Sequence, residues 1–206
     1  MEFLLLGFKA SSHRFCGVTV ALTYFKRYRM EIVLHDGLFD GRSVPAGFRL
    51  LKWSDELIRE HAQVKWESFQ NEIDANVFPC LGNSAGCTQL MRDIAYRSNF
   101  VPEATWLATY QDEKMLHPIA VGTVQGLRTE AYEGGIQNLG VVPSFRGMGI
   151  GSVLLFKALE GFYSVGCHTV HLEVTVQNTA AVRLYERLGF RRVETVFKVA
   201  DVMMAN

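Results

Sequence analysis

An apolar strand pattern that runs into three alternating glycines is the feature that most constrains the fold of this chain. Within residues 140–152, Gly147, Gly149 and Gly151 lie where a helical pattern begins. Glycines let a backbone close around a ligand, and the amides at a helix N-terminus point towards an anion. Arg146 adds a planar cation that suits phosphate. The segment predicts an anion-binding turn between a strand and a helix.

Two nucleotide-binding motifs with similar glycines do not match this segment. Gly-x-Gly-x-x-Gly fails, because counting from Gly147 the third glycine position is Ser152, and Gly-x(4)-Gly-Lys-Ser/Thr is absent. The remaining pattern is Arg-x-x-Gly-x-Gly, from Arg146 to Gly151. A glycine-rich turn that binds no ligand is the alternative.

Strand and helix patterns alternate around this segment. Strands are predicted at 104–111, 118–128 and 135–142, with Gly134 and Gly135 separating the second from the third. A helix at 149–164, a strand at 170–176, a helix at 179–188 and a strand from Phe190 follow. This alternation predicts at least one parallel crossover in the sheet.

The first half of the chain predicts strands and then two helices. A period-two pattern at 28–34 and a short run at 47–53 indicate strands, with turns at Asp36-Gly37 and Asp40-Gly41 after the first. Ser54 caps a helix with one apolar stripe, and a loop at 74–86 leads to a second helix that begins at Cys87. The predicted stripe comprises Ile58, Ala62, Trp66, Phe69 and Ile73.

Composition excludes some classes of function. The 206 residues carry 21 Lys and Arg against 21 Asp and Glu, so the net charge is zero. Such a balance argues against nucleic-acid binding through bulk charge. The four cysteines form no Cys-x-x-Cys pair, which indicates reduced thiols in a cytoplasmic protein. Residues 1–6 are apolar but shorter than a membrane span, so we expect no membrane partner.

A second motif follows about thirty residues after the glycines. Asn178, Ala181, Tyr185, Gly189 and Phe190 form Asn-x-x-Ala-x-x-x-Tyr-x-x-x-Gly-Phe. Together with the Arg-x-x-Gly-x-Gly segment, this run resembles the GCN5-related N-acetyltransferase (GNAT) superfamily, which transfers acetyl groups from acetyl-CoA to amines. The resemblance is tight over 118–197 and looser over 47–117.

The resemblance implies a fold and a domain division. The expected α/β (α+β) fold has a mixed central sheet, splayed between the two strands that flank the cofactor, with helices on both faces. The expected domains are a strand-rich N-terminal extension at 1–46 and an acetyltransferase domain at 47–206. One hypothesis is that the strand within the extension extends the sheet, and another is that it pairs with a second subunit in a homodimer.

The resemblance also implies how acetyl-CoA binds. Backbone groups of the strand before the glycines would bond to pantetheine, amides at the helix start would hold the pyrophosphate with help from Arg146, and two residues of the second motif would contact the far side of the cofactor. In order, these residues are Leu139, Gly140 and Val141; Gly147, Met148, Gly149, Ile150, Gly151 and Ser152; and Asn178 and Ala181.

Two residues are candidates for catalysis. Tyr185 occupies the position of the family's tyrosine near the thioester sulfur, where a hydroxyl can act as general acid; the alternative is a core tyrosine. Glu173 matches the base of ribosomal-protein N-terminal acetyltransferases, and strand alternation directs it to a cleft if Leu172 and Val174 pack on a helix. Some members of the family carry the base on the strand before the glycines, but here that strand offers Gln137 and Asn138, which cannot be bases. If Glu173 faces outward, ordered water must therefore carry the proton to a more distant group.

The implied function is N-acetylation of a primary amine, in a small molecule or a peptide N-terminus, by direct attack in a ternary complex. A non-catalytic acyl-CoA-binding or regulatory module on the same fold is the alternative. His168 and His171 would lie on opposite faces of a strand, so no metal site is expected there.

Overall fold

The computed structural model describes residues 12–15, 18–39 and 43–204, so Cys16, the Asp40-Gly41 turn and the apolar start lie outside the described residues. The strands are β1 (Ser12–Phe15), β2 (Val18–Val33), β3 (Phe48–Lys52), β4 (Trp106–Tyr110), β5 (Ile119–Glu130), β6 (Glu133–Val141), β7 (Thr169–Thr175) and β8 (Arg191–Met204). The helices are α1 (Ile58–Phe69), α2 (Ile73–Val77), α3 (Ser84–Ala95), α4 (Ile150–Ser164) and α5 (Thr179–Arg187). Within the described residues, no helix is long and apolar enough to cross a membrane.

One mixed sheet contains all the described strands. Its order is β1-β2-β7-β6-β5-β4-β3, and β8 pairs with β2. The neighbouring strands are antiparallel except for β6 and β7, which run parallel and are joined by the crossover helix α4. The predicted mixed sheet with a parallel crossover is confirmed.

Helices cover both faces of this sheet, as predicted. On one face, α1 packs against β5 and β6 and carries α3. On the other face, α4 packs against β4, β5 and β6, and its side chains Leu154, Leu155, Leu159 and Phe162 are fully buried. Burial of this apolar helix face supplies much of the driving force that fixes α4, and hence the loop before it, to the sheet.

The N-terminal strand β2 lies inside the sheet. Arg27 pairs with Thr175 of β7 along one edge and with Val196 of β8 along the other, so β2 separates β7 from β8. Met30 and Ile32 are buried in the main core. Of the two hypotheses for this strand, the structure shows the one in which it extends the sheet.

The sheet opens between β6 and β7. The two strands pair only from Glu133–Gly135 against Thr169–His171 and then separate. Beyond that point β6 contains a bulge against β5, where Asn138 has a φ of 46°. The expected splay is therefore present, and it leaves a gap bordered by the second half of each strand.

One predicted detail of this half-sheet was wrong. Gly134 and Gly135 do not separate the two strands: the turn between β5 and β6 is at residues 131–132, and both glycines lie within β6. They are needed there because a Cβ on Gly134 would overlap the ring of Phe162, and one on Gly135 would crowd His171. Close approach of a side chain, rather than turn geometry, explains these glycines.

The predicted apolar stripe of α1 was also wrong in its second half. Ile58 and Ala62 are buried, but Trp66 and Phe69 are only partly buried. The buried face of the helix instead contains polar side chains, namely His61, Lys65 and Ser68. Hydrophobic periodicity cannot identify a helix face that packs polar groups against the sheet.

Candidate active site

The glycine loop gives α4 an open N-terminus. Gly147 and Gly149 have φ values of 78° and 86°, and Gly149 is the N-cap of α4. Side chains rarely adopt this left-handed conformation, so the loop depends on glycine at both positions. In the first turn the Ser152 amide donates to the Gly149 carbonyl at 3.1 Å, whereas the amides of Ile150 and Gly151 precede the first bond of the helix and, with the helix dipole, favour an anion.

Arg146 fastens this loop to α1. Its Nε donates to the Val141 carbonyl at 3.0 Å, one terminal nitrogen donates to the Ser68 carbonyl at 2.8 Å, and the other pairs with Glu72 at 2.6 Å. The guanidinium thus has three protein partners around it. Its predicted contribution to phosphate binding stays a prediction, beside an evident role in holding the loop.

A cavity of about 420 Å³ runs from the glycine loop along residues 139–141 of β6 to α5. We refer to it as the glycine-loop cavity. Every residue predicted to bind the cofactor lines it except Met148, whose side chain projects outward with 45% exposure. Arg187 also lines this cavity and was not predicted from the sequence. Its position in the last turn of α5 resembled an ordinary surface cation near a helix C-terminus.

A second cavity of about 360 Å³ adjoins the first. We refer to it as the Glu173 cavity. The two cavities share Phe69, Leu139, Asn178, Ala181 and Tyr185 in their walls. The gap therefore connects an anion-binding loop at one end with titratable side chains at the other.

Tyr185 lies where the two cavities meet. It is on α5, is 8% exposed and has its ring 5.9 Å from that of Phe190. Burial raises the pKa of its hydroxyl well above the usual value; nearby Asp74 raises it further, and Arg27 opposes this. The phenol is therefore protonated at neutral pH, as a tyrosine in water is, and its surroundings oppose ionisation.

Glu173 lies on the cavity side of β7. Leu172 and Val174 are buried in the core, so strand alternation turns Glu173 towards the gap, where it lines the cavity named after it. Its carboxylate is 3.3 Å from the Nε of Arg27. Tyr185 and Glu173 thus border the same cavity, as their predicted roles require.

Two charged residues beside Glu173 were missed by the sequence analysis. Arg27 comes from β2 and is 6% exposed, and Asp74 comes from α2. Neither belongs to a motif, and the predicted elements gave no reason to bring residue 27 next to residue 173. The segment that contains Asp74 was expected to be a loop.

A buried polar cluster underlies the bulge of β6. The Nδ1 of His61 is 2.7 Å from the Thr123 hydroxyl, and the amine of Lys65 donates to the Asn138 side-chain oxygen at 3.0 Å. Burial lowers the pKa of Lys65 to about 7 and, together with Lys65, lowers that of His61 to about 3. Near pH 7, His61 is thus neutral and Lys65 is about half protonated, and Lys65 holds the bulge that borders the gap.

Comparison with known proteins identifies the family of this chain. The model of the Acetyltransferase (GNAT) family matches residues 66–190, which include the splayed strands, the glycine loop and Tyr185. The chain belongs to the GNAT family. It has the expected GNAT fold.

Curated relatives of this GNAT chain include acetyltransferases of different acceptors. N-alpha-acetyltransferase MAK3 of Arabidopsis thaliana is 38% identical over 80 residues, which cover 37% of this chain and 42% of that protein. Mycothiol acetyltransferase of Paenarthrobacter aurescens is 35% identical over 98 residues, which cover 47% of this chain and 30% of that protein. The matched segments thus span less than half of these two relatives.

Solved structures agree with the GNAT fold. A GCN5-related N-acetyltransferase from Sphaerobacter thermophilus superposes with a TM-score of 0.59 and 23% identity, covering 87% of this chain and 51% of that one. The ribosomal-protein-S18-alanine N-acetyltransferase of Escherichia coli superposes with a TM-score of 0.52 and 16% identity, covering 77% and 96%. At these identities, the likeness is one of fold.

Proposed function

We propose that the chain is an acetyl-CoA-dependent N-acetyltransferase that acts on a primary amine by direct transfer in a ternary complex. The observation that carries the proposal is the continuity of the glycine-loop cavity and the Glu173 cavity, which meet at Tyr185. One end suits an anionic cofactor, and the other holds an acid and a carboxylate. A non-catalytic acyl-CoA-binding module would need only the first of these ends.

The residues present fit CoA. An anionic pyrophosphate suits the amides that begin α4 and the cation of Arg187, which lines the same cavity. Along the gap, the edge of β6 at residues 139–141 has no pairing to β7 and leaves backbone groups for an extended arm. When bound there, acetyl-CoA would supply an acetyl thioester for attack by the amine.

Tyr185 is proposed as the general acid. Its hydroxyl stays protonated in this buried position, and donation of that proton to the departing thiolate would help the thioester bond to break. Its position at the junction of the two cavities supports this role. A tyrosine that served only packing would not need to border both cavities.

Glu173 is proposed as the base that removes a proton from the attacking ammonium, directly or through ordered water. Its carboxylate lines the cavity opposite the glycine loop, and it is partly exposed, so bulk water can carry the proton away. Gln137 and Asn138 line the same cavity but have no basic group.

The acceptor site combines negative charge with aromatic walls. With Arg27 between them, the carboxylates of Glu173 and Asp74 still leave one negative charge in excess, which favours a cationic amine. Phe69 and Phe78 supply apolar surface beside it. A peptide N-terminus and a small-molecule amine both meet this description. The similarity to an N-alpha-acetyltransferase supports the former as the first acceptor to test.

Thiol release in the presence of acetyl-CoA and an amine panel tests the proposal. The panel contains peptides with free and blocked N-termini, polyamines, amino acids and aminoglycosides, and mass spectrometry identifies the acetylated product. We expect turnover with at least one free amine and none with blocked peptides. Tight binding of acetyl-CoA in calorimetry without turnover on any amine would instead favour the binding module.

A further inference from the structure

We propose that Arg27, supplied by the N-terminal strand β2, is a positioning residue that holds the carboxylates of Glu173 and Asp74 at the Glu173 cavity. The inference rests on the proposed function, because it assigns Arg27 to the acceptor side of that site. It also gives the N-terminal strand a role in the site as well as in the sheet.

The position of Arg27 follows from the place of β2 between β7 and β8. Its side chain is 7% exposed and contacts β7, α2 and the Phe78 ring that follows α2. One terminal nitrogen donates to the Glu173 carbonyl at 3.0 Å, and Nε lies 3.3 Å from the Glu173 carboxylate. The guanidinium lies 4.8 Å from the centre of the Phe78 ring, which packs over it. An arginine so enclosed has few alternative rotamers.

The other terminal nitrogen connects Arg27 to the helix that carries Tyr185. It donates to the Thr175 hydroxyl at 3.2 Å and lies 3.6 Å from Asp74, and Thr175 in turn donates to Asp74 at 2.8 Å. Asp74 also accepts from the side chain of Asn178 at 3.3 Å, and Asn178 caps α5 by accepting from the Ala181 amide. A continuous network thus runs from Glu173 to the start of α5.

Charge explains why the cavity needs this cation. Two carboxylates border the cavity from different elements, and each would repel the other across it without a positive group between them. Glu173 is 42% exposed, so its ion pair contributes little stability, but the contact limits the rotamers that the side chain samples. The arrangement therefore serves the geometry of the site more than the stability of the fold.

A double-mutant cycle tests the proposal. We expect Arg27→Met to lower kcat/KM for the amine by about tenfold or more, with the acetyl-CoA Kd changed by less than about twofold, and Arg27→Lys to recover part of the loss. In a Glu173→Gln background, Arg27→Met should lower kcat/KM by less than about twofold, because residues that act together are not additive. Equal effects of Arg27→Met in both backgrounds would overturn the proposal.

Matched controls separate positioning from folding. Arg192→Met removes an arginine that also contacts a carboxylate, Glu186, and an aromatic ring, Tyr28, but lies outside both cavities; we expect its kinetics to be unchanged. If Arg27→Met does not fold, Arg27→Lys and Thr175→Val replace it in the cycle. An additive result with these variants counts against the proposal as well.

A readout independent of turnover keeps the two proposals distinguishable. If the wild-type protein acetylates no amine, the proposed function fails, and carboxyl ¹³C chemical shifts of labelled glutamate still report on the Arg27 contact. We expect the Glu173 signal to move in Arg27→Lys and to stay in place in Arg192→Met. A Glu173 signal unaffected by Arg27→Lys would overturn the positioning role whatever the activity.

Discussion

At the scale of single residues, the buried hydroxyl of Tyr185 carries the clearest prediction. We expect Tyr185→Phe to lower kcat by about a hundredfold, the usual contribution of a general acid, while the acetyl-CoA Kd barely changes. The ring that packs near Phe190 is retained, so the fold should be unaffected. A thiol-release assay measures kcat, and calorimetry measures the acetyl-CoA Kd. Tyr96→Phe, at an exposed position outside both cavities, is the control; wild-type turnover in Tyr185→Phe would remove Tyr185 from the mechanism.

A second residue-scale prediction concerns the buried amine of Lys65. The unfolded chain binds a proton there up to about pH 10.5, but burial lowers the folded pKa to about 7. Between these values the unfolded state binds more protons, so the free energy of unfolding rises with pH. We expect a rise of about 2 kcal/mol from pH 7 to 9 that Lys65→Met lacks.

Urea unfolding at a series of pH values measures this difference. The window ends at pH 9 because burial raises the pKa of the neighbouring Cys87 thiol from 9.0 to about 11, and this opposite contribution offsets that of Lys65 at higher pH. Lys157→Met, which removes a half-exposed surface lysine, should follow the wild-type curve. Parallel curves for the wild type and Lys65→Met would contradict the lowered pKa of the buried amine.

At the scale of elements, glycine has two different structural roles that the sequence pattern does not distinguish. Gly147 and Gly149 were predicted to form a loop, and both have the left-handed conformation that requires glycine. Gly134 and Gly135 were predicted to separate two strands but lie inside β6, where large side chains pack against them. Backbone conformation follows from local sequence, whereas close approach depends on a residue far along the chain, here Phe162.

The same distinction gives an element-scale prediction for β6. A Cβ on Gly134 would overlap the ring of Phe162, so Gly134→Ala must displace α4 or the strand. We expect Gly134→Ala to lower the free energy of unfolding by about 1–3 kcal/mol, as overpacking of a core does. At Gly82, which is exposed, a Cβ would meet only Ala75 at an ordinary 3.9 Å, and Gly82→Ala should change stability by less than about 0.5 kcal/mol. Similar urea midpoints for the two variants would contradict the close approach.

At the scale of the whole molecule, the sequence predicted the elements of the second half but not the partners of the N-terminal strand. Local periodicity was sufficient for α4, β7 and α5, and for the placement of Glu173 on one face. The pairing of β2 with β7 and β8 joins residues more than a hundred positions apart, and no local pattern specifies it. Arg27 was missed for this reason, since its importance comes only from that pairing.

This topology predicts that β2 unfolds together with the rest of the sheet. Among the described strands, β8 pairs only with β2, so loss of β2 would also remove β8 from the sheet and expose Met30 and Ile32. We therefore expect the proposed division into an extension at 1–46 and a domain at 47–206 to be visible in the sequence only. The described part of the extension and the domain should open with the same free energy. Native-state hydrogen exchange tests this on the intact chain, because it assigns a free energy of opening to each amide.

We expect the amides of residues 27–33 in β2 to open with the same free energy as those of 170–174 in β7, equal to the global value from urea unfolding. Edge-strand amides in β3 serve as the control for local opening, and their free energies should be lower. Opening of residues 27–33 at about 2 kcal/mol or more below the global value would mean that the segment separates from a stable remainder. In that case β2 would be an appendage to the acetyltransferase domain, and the domain would stay folded when Arg27 leaves the site.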